Sequence, residues 1–584
     1  MLHLIGFAAL LSVQAVPAPQ PPCAFVPAGE LAARIALVHQ RFAQVTEPAF
    51  TDKFILADVE LDPAYPRRFS EFSGDISGRY IGAMAMLPPT DPKAAVHLDQ
   101  LVDKILGFQR ADGRFGNDKL SFAAADVGAD QMALLWGNGR MLVGLMEYWS
   151  VNPSDKVLEA SRRLGDFLLQ VFDNCSKPQV IERLRGKAAN GFICFTQFNE
   201  GLELLARATG DAKYRDIAAK MLSLLEAPGD QHSHGYLTTL RGHLMIYEST
   251  HDKAQLDAVV ARYREIIEMG AVKTNGGVLE YFKKDYNRDE GCSEADFVRL
   301  SLQLWRATGN AEYLNRAEHC LYNSLFAGQF ATGDFGHHDY DNRGYVPVPG
   351  PGRAWWCCTM HGLRALRDVL DNVITQDGAN VNLNLYLEGR WQGRDMTVRV
   401  ERLNQPDSAA SPIFRMTIER APAPSGAANG SRCTCTARQA EWMVSKTMAA
   451  GKDGDSIDIQ PVYALRLLDR DGKFHLPGDF VTDKPREAAL FYGPWLMGVD
   501  AAFNPMFHGE PVDNTLLLPG DADLAKKITF GSTDNPLLSG PRIELAYHHG
   551  GFSDLCKVSL SPISEQSTHE PTTLSFWHKV NKAP

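Results

Sequence analysis

Two short segments bring together residue types that hold metal ions and activate nucleophiles. "RDEGCSEADFVRL" carries Glu290 and Cys292 just before an apolar helical run, and "WWCCTMHGLRAL" carries Cys357 and Cys358 just before another. Three thiolates and one carboxylate make a tetrahedral Zn²⁺ site, soft sulfur selecting zinc over magnesium or calcium. Zinc and a helix N-terminus both stabilise a thiolate, which makes a cysteine nucleophilic at neutral pH. Such a thiolate attacking an anomeric carbon would give a thioglycosyl intermediate, the sulfur counterpart of the carboxylate nucleophile in retaining glycosidases. That chemistry needs a protonated carboxylic acid to assist the leaving group and then to activate water. Glu280 in "TNGGVLEYFKKDYNRDEGC" is the first choice, because desolvation between Leu279 and Tyr281 would raise its pKa; Asp285 and Asp289 compete for the role.

The same residues admit other readings. A vicinal disulfide between Cys357 and Cys358 would be strained, because adjacent α-carbons stand about 3.8 Å apart and disulfides prefer about 4.4 to 6.8 Å. Two buried free thiols would pack as small hydrophobes, which leaves Glu290 without a purpose. A closed zinc staple would merely fix two helices. The surroundings, with Trp355, Trp356, His337, His338 and Tyr340, have the aromatic walls and few polar groups of a ligand pocket.

These segments need a scaffold that brings helix N-termini to one place. Between about residues 68 and 377 a unit of two helices recurs. "NEGLELLARATGDAKYRDIAAKMLSLLE" and "ADFVRLSLQLWRATGNAEYLNRAEHCLYNSLF" share a turn in which Gly210 or Gly309 suits a left-handed C-cap and Asp211 or Asn310 suits the next N-cap; "RGHLMIYESTHDKAQLDAVVARYREII" has His251-Asp252 there. First helices near 75, 137, 196, 239, 294 and 358 predict six hairpins at a roughly sixty-residue period, which close into an (α/α)6 toroid; an open α-solenoid would have shorter, more uniform repeats. From 378 to 584 the period changes to strands such as "ANVNLNLYLEGRW" and "AALFYGPWLMGVD", predicting a β-sandwich region of one or two subdomains. The fold class is therefore multidomain α + β. Residues 16–67 form an N-terminal extension, and residues 1–15, "MLHLIGFAALLSVQA", read as a signal peptide ending in small residues, which predicts a secreted or periplasmic protein.

Composition excludes several classes. The 584-residue chain is 45% hydrophobic and 22% charged with 49 glycines, which is globular rather than disordered or fibrous. A formal charge of −11 without a basic stripe argues against nucleic acid, and no later apolar run reaches the length of a membrane span. Among the ten cysteines, Cys23, Cys433, Cys435 and Cys556 have no pairing legible from spacing.

The order "GGVLEYF…EGC…AD..RL.LQLWRATGN…WWCCTMHGLRAL", followed by "VNLNLY" and "REAALFYGPWLMGV", resembles the β-L-arabinofuranosidase family of glycoside hydrolases across most of the chain. The resemblance implies an (α/α)6 barrel joined to β-sandwiches, and zinc on Glu290, Cys292, Cys357 and Cys358. It implies Cys357 as nucleophile and Glu280 as acid/base. "RGHLMIYEST" looks like the family's Gly-His segment, which implies that His243 touches the sugar, beside Trp355 and His338. Several members pair through their β-domains, so an oligomer is open. Thr359-Met360-His361 stands where the family commonly has Pro-Pro-Asn, and the segment between Gly276-Gly277 and Glu290 is shorter than usual, which predicts a divergent branch. The expected substrate is an oligo- or polysaccharide or other glycoside with a terminal furanose-type sugar. Rival readings are a glycosidase or polysaccharide lyase with a structural zinc, using Asp75 and Arg79 of "GDISGRY", and a non-catalytic glycan-binding protein.

Overall fold

The computed structural model describes residues 24–583, apart from 45–48, 68, 186–190, 284, 349–353, 378–379, 394–395, 404–410, 421–432, 438–446, 451–452, 509–512 and 551–553. The expected signal segment and Cys23 lie outside the described residues, as do the side chains of Cys433 and Cys435.

The helices in chain order are α1 (Gly29–Ala43), α2 (Asp52–Glu60), α3 (Asp75–Met86), α4 (Pro92–Leu106), α5 (Ala129–Val151), α6 (Asp155–Cys175), α7 (Pro178–Leu184), α8 (Ile193–Thr196), α9 (Asn199–Thr209), α10 (Ala212–Lys220), α11 (Ser233–Thr250), α12 (Lys253–Glu268), α13 (Gly291–Thr308), α14 (Ala311–Cys320) and α15 (Trp356–Val373). Six of them, α3, α5, α9, α11, α13 and α15, pack side by side in that order and close the ring where α15 meets α3. The remaining long helices form an outer layer, α4 on α3, α6 on α5, α10 on α9, α12 on α11, α14 on α13 and α1 on α15. This is the (α/α)6 toroid read from the sequence, with its sixth outer helix drawn from the segment expected as an N-terminal extension.

Local chemistry explains the hairpins. Gly210 and Gly309 adopt left-handed φ of 70° and 69°, while Asp211, Asp252 and Asn310 accept backbone N–H bonds from Lys213, Ala254 and Glu312. Inner helices are buried nearly all round, as a helix flanked on every side must be. Gly78 and Gly144 let α3 and α5 approach closely, since a Cβ at Gly144 would stand 2.0 Å from the Gly78 carbonyl oxygen.

The described strands, most of them beyond α15, form three sheets. A five-stranded sheet starts from Ala24–Pro27 paired to Gly389–Gln392, and a four-stranded sheet contains Cys433–Ala437 beside Asn380–Leu383. The largest sheet has twelve strands and runs into the toroid: Leu574–Ser575 pairs with Gly344–Val346, which pairs with Asp339–Tyr340. The loop ahead of α15 is thus an extension of the β-region. Arg34 of α1 locks the same junction, donating to Ser567 Oγ at 2.8 Å, to the Phe326 carbonyl at 3.0 Å and to the Ser564 carbonyl at 3.1 Å. Cys556 on Leu555–Pro562 is a free thiol.

Candidate functional site

Three inner helices start at one end of the toroid with chemistry-bearing residues in their first turns. Glu290 is the N-cap of α13 with Cys292 two residues on, Trp355 is the N-cap of α15 with Cys357 and Cys358 in its first turn, and His232 caps α11 with His234 behind it. Short bridges stitch the intervening loops together, Leu279 with Asp289, Arg288 with Asp339, Gly336 with Ala354 and His232 with Tyr281. Ser233 Oγ ties α11 to α13, 2.7 Å from Ser293 Oγ and donating to the Glu280 carbonyl at 2.8 Å.

The donor atoms of Glu290, Cys292, Cys357 and Cys358 all lie within 4.8 Å of one another. Both cysteines of the pair are free thiols, so the vicinal disulfide is not formed. The sulfurs of Cys292 and Cys358 are 3.7 Å apart, which matches the edge of a tetrahedron with metal–sulfur bonds of about 2.3 Å, roughly 3.8 Å. Donor set and spacing therefore fit a four-coordinate ion. Glu290, Cys292 and Cys358 are buried, whereas Cys357 is partly open to solvent.

The electrostatics separate Cys357 from its neighbours. Hydrogen bonds from Cys292 and Cys358 hold its thiol well below the usual range, helped by Arg79 and His337 against the opposing effect of burial. Burial pushes Cys292 and Cys358 well up, and pushes Glu290 well up with the charges of Glu280 and Cys357 adding to it. Four acidic groups thus meet at a largely buried site with too little positive charge for all to ionise, which is the state a bound cation would relieve. His232 stands 3.5 Å from the Glu290 carboxylate, and burial pushes its imidazole down to about 3, so it is neutral there.

Around the cluster, Trp355 sets its edge against His337 at 6.3 Å and packs on Phe69. His337 donates Nδ1–H to the Asp289 carbonyl at 2.7 Å. Glu280 is half-buried, close enough to Glu290 to influence it, and accepts the Tyr286 hydroxyl. The competing carboxylates are placed differently. Asp285 is exposed at φ 66°, and buried Asp289 accepts the His338 N–H at 2.6 Å and the Tyr340 hydroxyl at 3.0 Å, which commits it to holding the loop.

Two expected sugar contacts are not brought to the cluster. His243 lies nine residues beyond His234 on α11, about 13 Å along the helix, and is buried with Nδ1 2.8 Å from Gln255 Oε1 of the outer helix α12. His338 stacks on Tyr345 at 4.1 Å with Nε2 3.2 Å from Gln566 Oε1 of the β-region. His232 and Arg79 reach the cluster instead, His232 at Glu290 and Arg79 at Cys292, with His234 bonded to Arg79. Arg79 bonds Asp75 at 2.7 Å, reaches His234 Nε2 at 2.8 Å and lies 3.8 Å from Cys292 Sγ. The sequence signal for the two histidines was present in "QHSHG", a His-Ser-His at the start of an inner helix.

Beneath the cluster, along the toroid axis, a second buried group joins His234, Asp296 and His361 with Arg241, Glu200, Arg140 and Arg364. Asp75 and Arg79, expected in the rival lyase reading, sit between the two groups, with Asp75 also accepting the Trp136 indole N–H at 2.9 Å.

A model of the GH127 catalytic domain, described as β-L-arabinofuranosidase, matches residues 65–370, just over half of the chain. A search of the curated proteins matches none. Among solved structures, the chain is similar to a GH127 β-L-arabinofuranosidase from Geobacillus stearothermophilus T6, at 14% identity and a TM-score of 0.68 over 95% of this chain and 100% of that one. It is equally similar to the GH127 β-arabinofuranosidase BT3674, at 15% identity and a TM-score of 0.68 over 95% and 96% of the two chains. At these identities the structural likeness speaks for the fold.

Proposed function

The chain belongs to the GH127 β-L-arabinofuranosidase family and is a glycoside hydrolase, and we propose that it releases a terminal β-L-arabinofuranose or related furanose from a glycan by a retaining mechanism in which Cys357, held at a zinc ion, is the nucleophile. The observation that carries this reading is the convergence of Glu290, Cys292, Cys357 and Cys358 within 4.8 Å, with Cys357 the one sulfur open to solvent. Bound by those four residues, zinc would keep the thiols ionised and fix their orientation.

The Cys357 sulfur attacks the anomeric carbon as the bond to the leaving oxygen breaks, and Glu280 donates its proton to that oxygen. Glu280, now a carboxylate, takes a proton from water, whose oxygen attacks the same carbon and displaces the sulfur. Two inversions leave the configuration retained. Trp355, His337 and His232 supply the aromatic and imidazole surface against which a small polyhydroxylated ring packs. The apolar first fifteen residues support export, and among the described residues no helix is long and apolar enough to cross a membrane.

The test is to trap the intermediate. With p-nitrophenyl β-L-arabinofuranoside the good leaving group makes the first step independent of the acid, so Glu280→Ala should accumulate a pentosyl adduct on the peptide carrying Cys357, seen by peptide mass spectrometry after rapid quenching. An adduct on a carboxylate overturns the cysteine nucleophile. Wild-type turnover by Glu280→Ala removes Glu280 from its role.

A further inference from the structure

Resting on the zinc–thiolate reading above, we propose that Arg79 is a positioning residue for the metal site, and that the buried chain His361–Asp296–His234 holds its guanidinium against Cys292.

The hydrogen-bond order along this chain follows from donor chemistry. A guanidinium only donates, so Arg79 Nη2 must give its hydrogen to His234 Nε2 at 2.8 Å, which leaves the His234 proton on Nδ1. That N–H donates to Asp296 Oδ2 at 2.5 Å. On the far side, Arg364 Nη1 donates to His361 Nδ1 at 3.2 Å, so His361 carries its proton on Nε2 and donates it to Asp296 Oδ1 at 2.7 Å. Thr238 Oγ1 adds a further bond to Asp296 at 3.0 Å. Asp296 is therefore an anion between two neutral imidazoles. Burial would raise the Asp296 carboxyl, yet it is held well below the usual range, with an N–H from His361 and one from His234 on its oxygens and the Arg241 guanidinium 3.5 Å away, while burial pushes His234 down to about 4.

Every step fixes the next, and the last group fixed is Arg79. Its Nε donates to Asp75 at 2.7 Å and its Nη2 to His234, so the planar fork has no freedom left, and Nη1 is left 3.8 Å from Cys292 Sγ. Arg79 and Cys292 are both fully buried. Three thiolates and a carboxylate on a divalent ion would leave a net negative charge at a largely buried site, which an N–H donor with a full positive charge stabilises. His361 stands where the resemblance expects asparagine, so the second imidazole of the chain comes from the segment in which this sequence departs from its family's pattern.

Zinc affinity measured by competition with a chromophoric chelator tests the assignment, together with the thiolate-to-cobalt charge-transfer band of the Co²⁺-loaded protein. Arg79→Met should weaken zinc about ten- to a hundredfold and shift the band, because the sulfur loses its donor. His234→Leu should move both readouts the same way by less, and His234→Gln, whose amide can accept from Arg79 and donate to Asp296, should recover most of the loss. A loss of stability alone would not move the cobalt band. Wild-type zinc affinity and an unshifted band in Arg79→Met overturn the proposal, as does a His234→Gln variant no better than His234→Leu; this pair decides the matter if Arg79→Met does not fold. A wild-type protein that takes up no zinc is a different outcome, which sinks the parent reading.

Discussion

Two buried polar clusters lie one above the other on the toroid axis, and they differ in how their charge closes. In the lower one each acid faces a cation: Glu200 meets Arg140 at 3.4 Å and Arg241 at 3.1 Å, and Asp296, bonded by two imidazole N–H groups, meets Arg241 at 3.5 Å and Arg299 at 3.6 Å. The three donors His234, Asp296 and His361 are near enough to ligate an ion, but their bonds to one another and to two arginines already use every ring nitrogen. The upper cluster gathers three thiols and a carboxylate, and Arg79 donates to one of them. Proximity alone makes both look like metal sites. Charge balance separates a closed structural network from a cluster whose acidic groups a cation could balance.

That contrast predicts separable losses. Cys357→Ser should cut hydrolysis of an arabinofuranoside by about four orders of magnitude while the helical circular dichroism is retained, since a nucleophile and its partners act as a unit. Glu200→Gln should instead cost about 3–5 kcal/mol of stability by stranding buried guanidinium groups, measured by denaturant unfolding. The same residue gives a pH signature: although burial opposes it, Arg241, Arg140 and Arg364 hold Glu200 down to about 2, so its stabilisation is complete above its ordinary value near 4.5 and is lost as pH falls toward 2. Glu200→Gln should flatten that acid limb, and an unchanged limb would show that the lower cluster is not closed by charge. Stripping metal with a chelator should lower stability by about 3 kcal/mol at zinc levels a hundredfold above the dissociation constant, with activity and stability both restored by zinc. The smallest effect is expected at His243→Gln, which faces Gln255 away from both clusters: kcat/KM within about twofold of wild type and stability within about 1 kcal/mol.

Three of the hairpins were legible because their turns repeat one capping device, a left-handed residue, Gly210, His251 or Gly309, followed by Asp or Asn, and the quartet of Glu290, Cys292, Cys357 and Cys358 was legible because its members fall in two short segments at helix starts. The start of α11 was expected near 239 and lies at Ser233. Its cap is a histidine, which capping preferences do not favour, and the displaced boundary hid His232 and His234. Arg79 was noticed at a helix start, but its link to Cys292 spans 213 residues and that to His234 spans 155, separations that no local pattern encodes. His338 and His337 look alike in sequence. The pairing of Tyr345 with Leu574 brings the C-terminal sheet under this loop and turns His338 onto Tyr345, a long-range register absent from local spacing.

Metal stoichiometry tests the central claim most directly, by mass spectrometric elemental analysis of protein purified under reducing conditions with zinc supplied, wild type beside Cys292→Ser. About one zinc per chain in the wild type, lost in the variant, is the result expected from the four converging donors. A wild-type chain free of zinc would contradict it, and the cluster would then be four acids packed at the top of the toroid with no cation to hold.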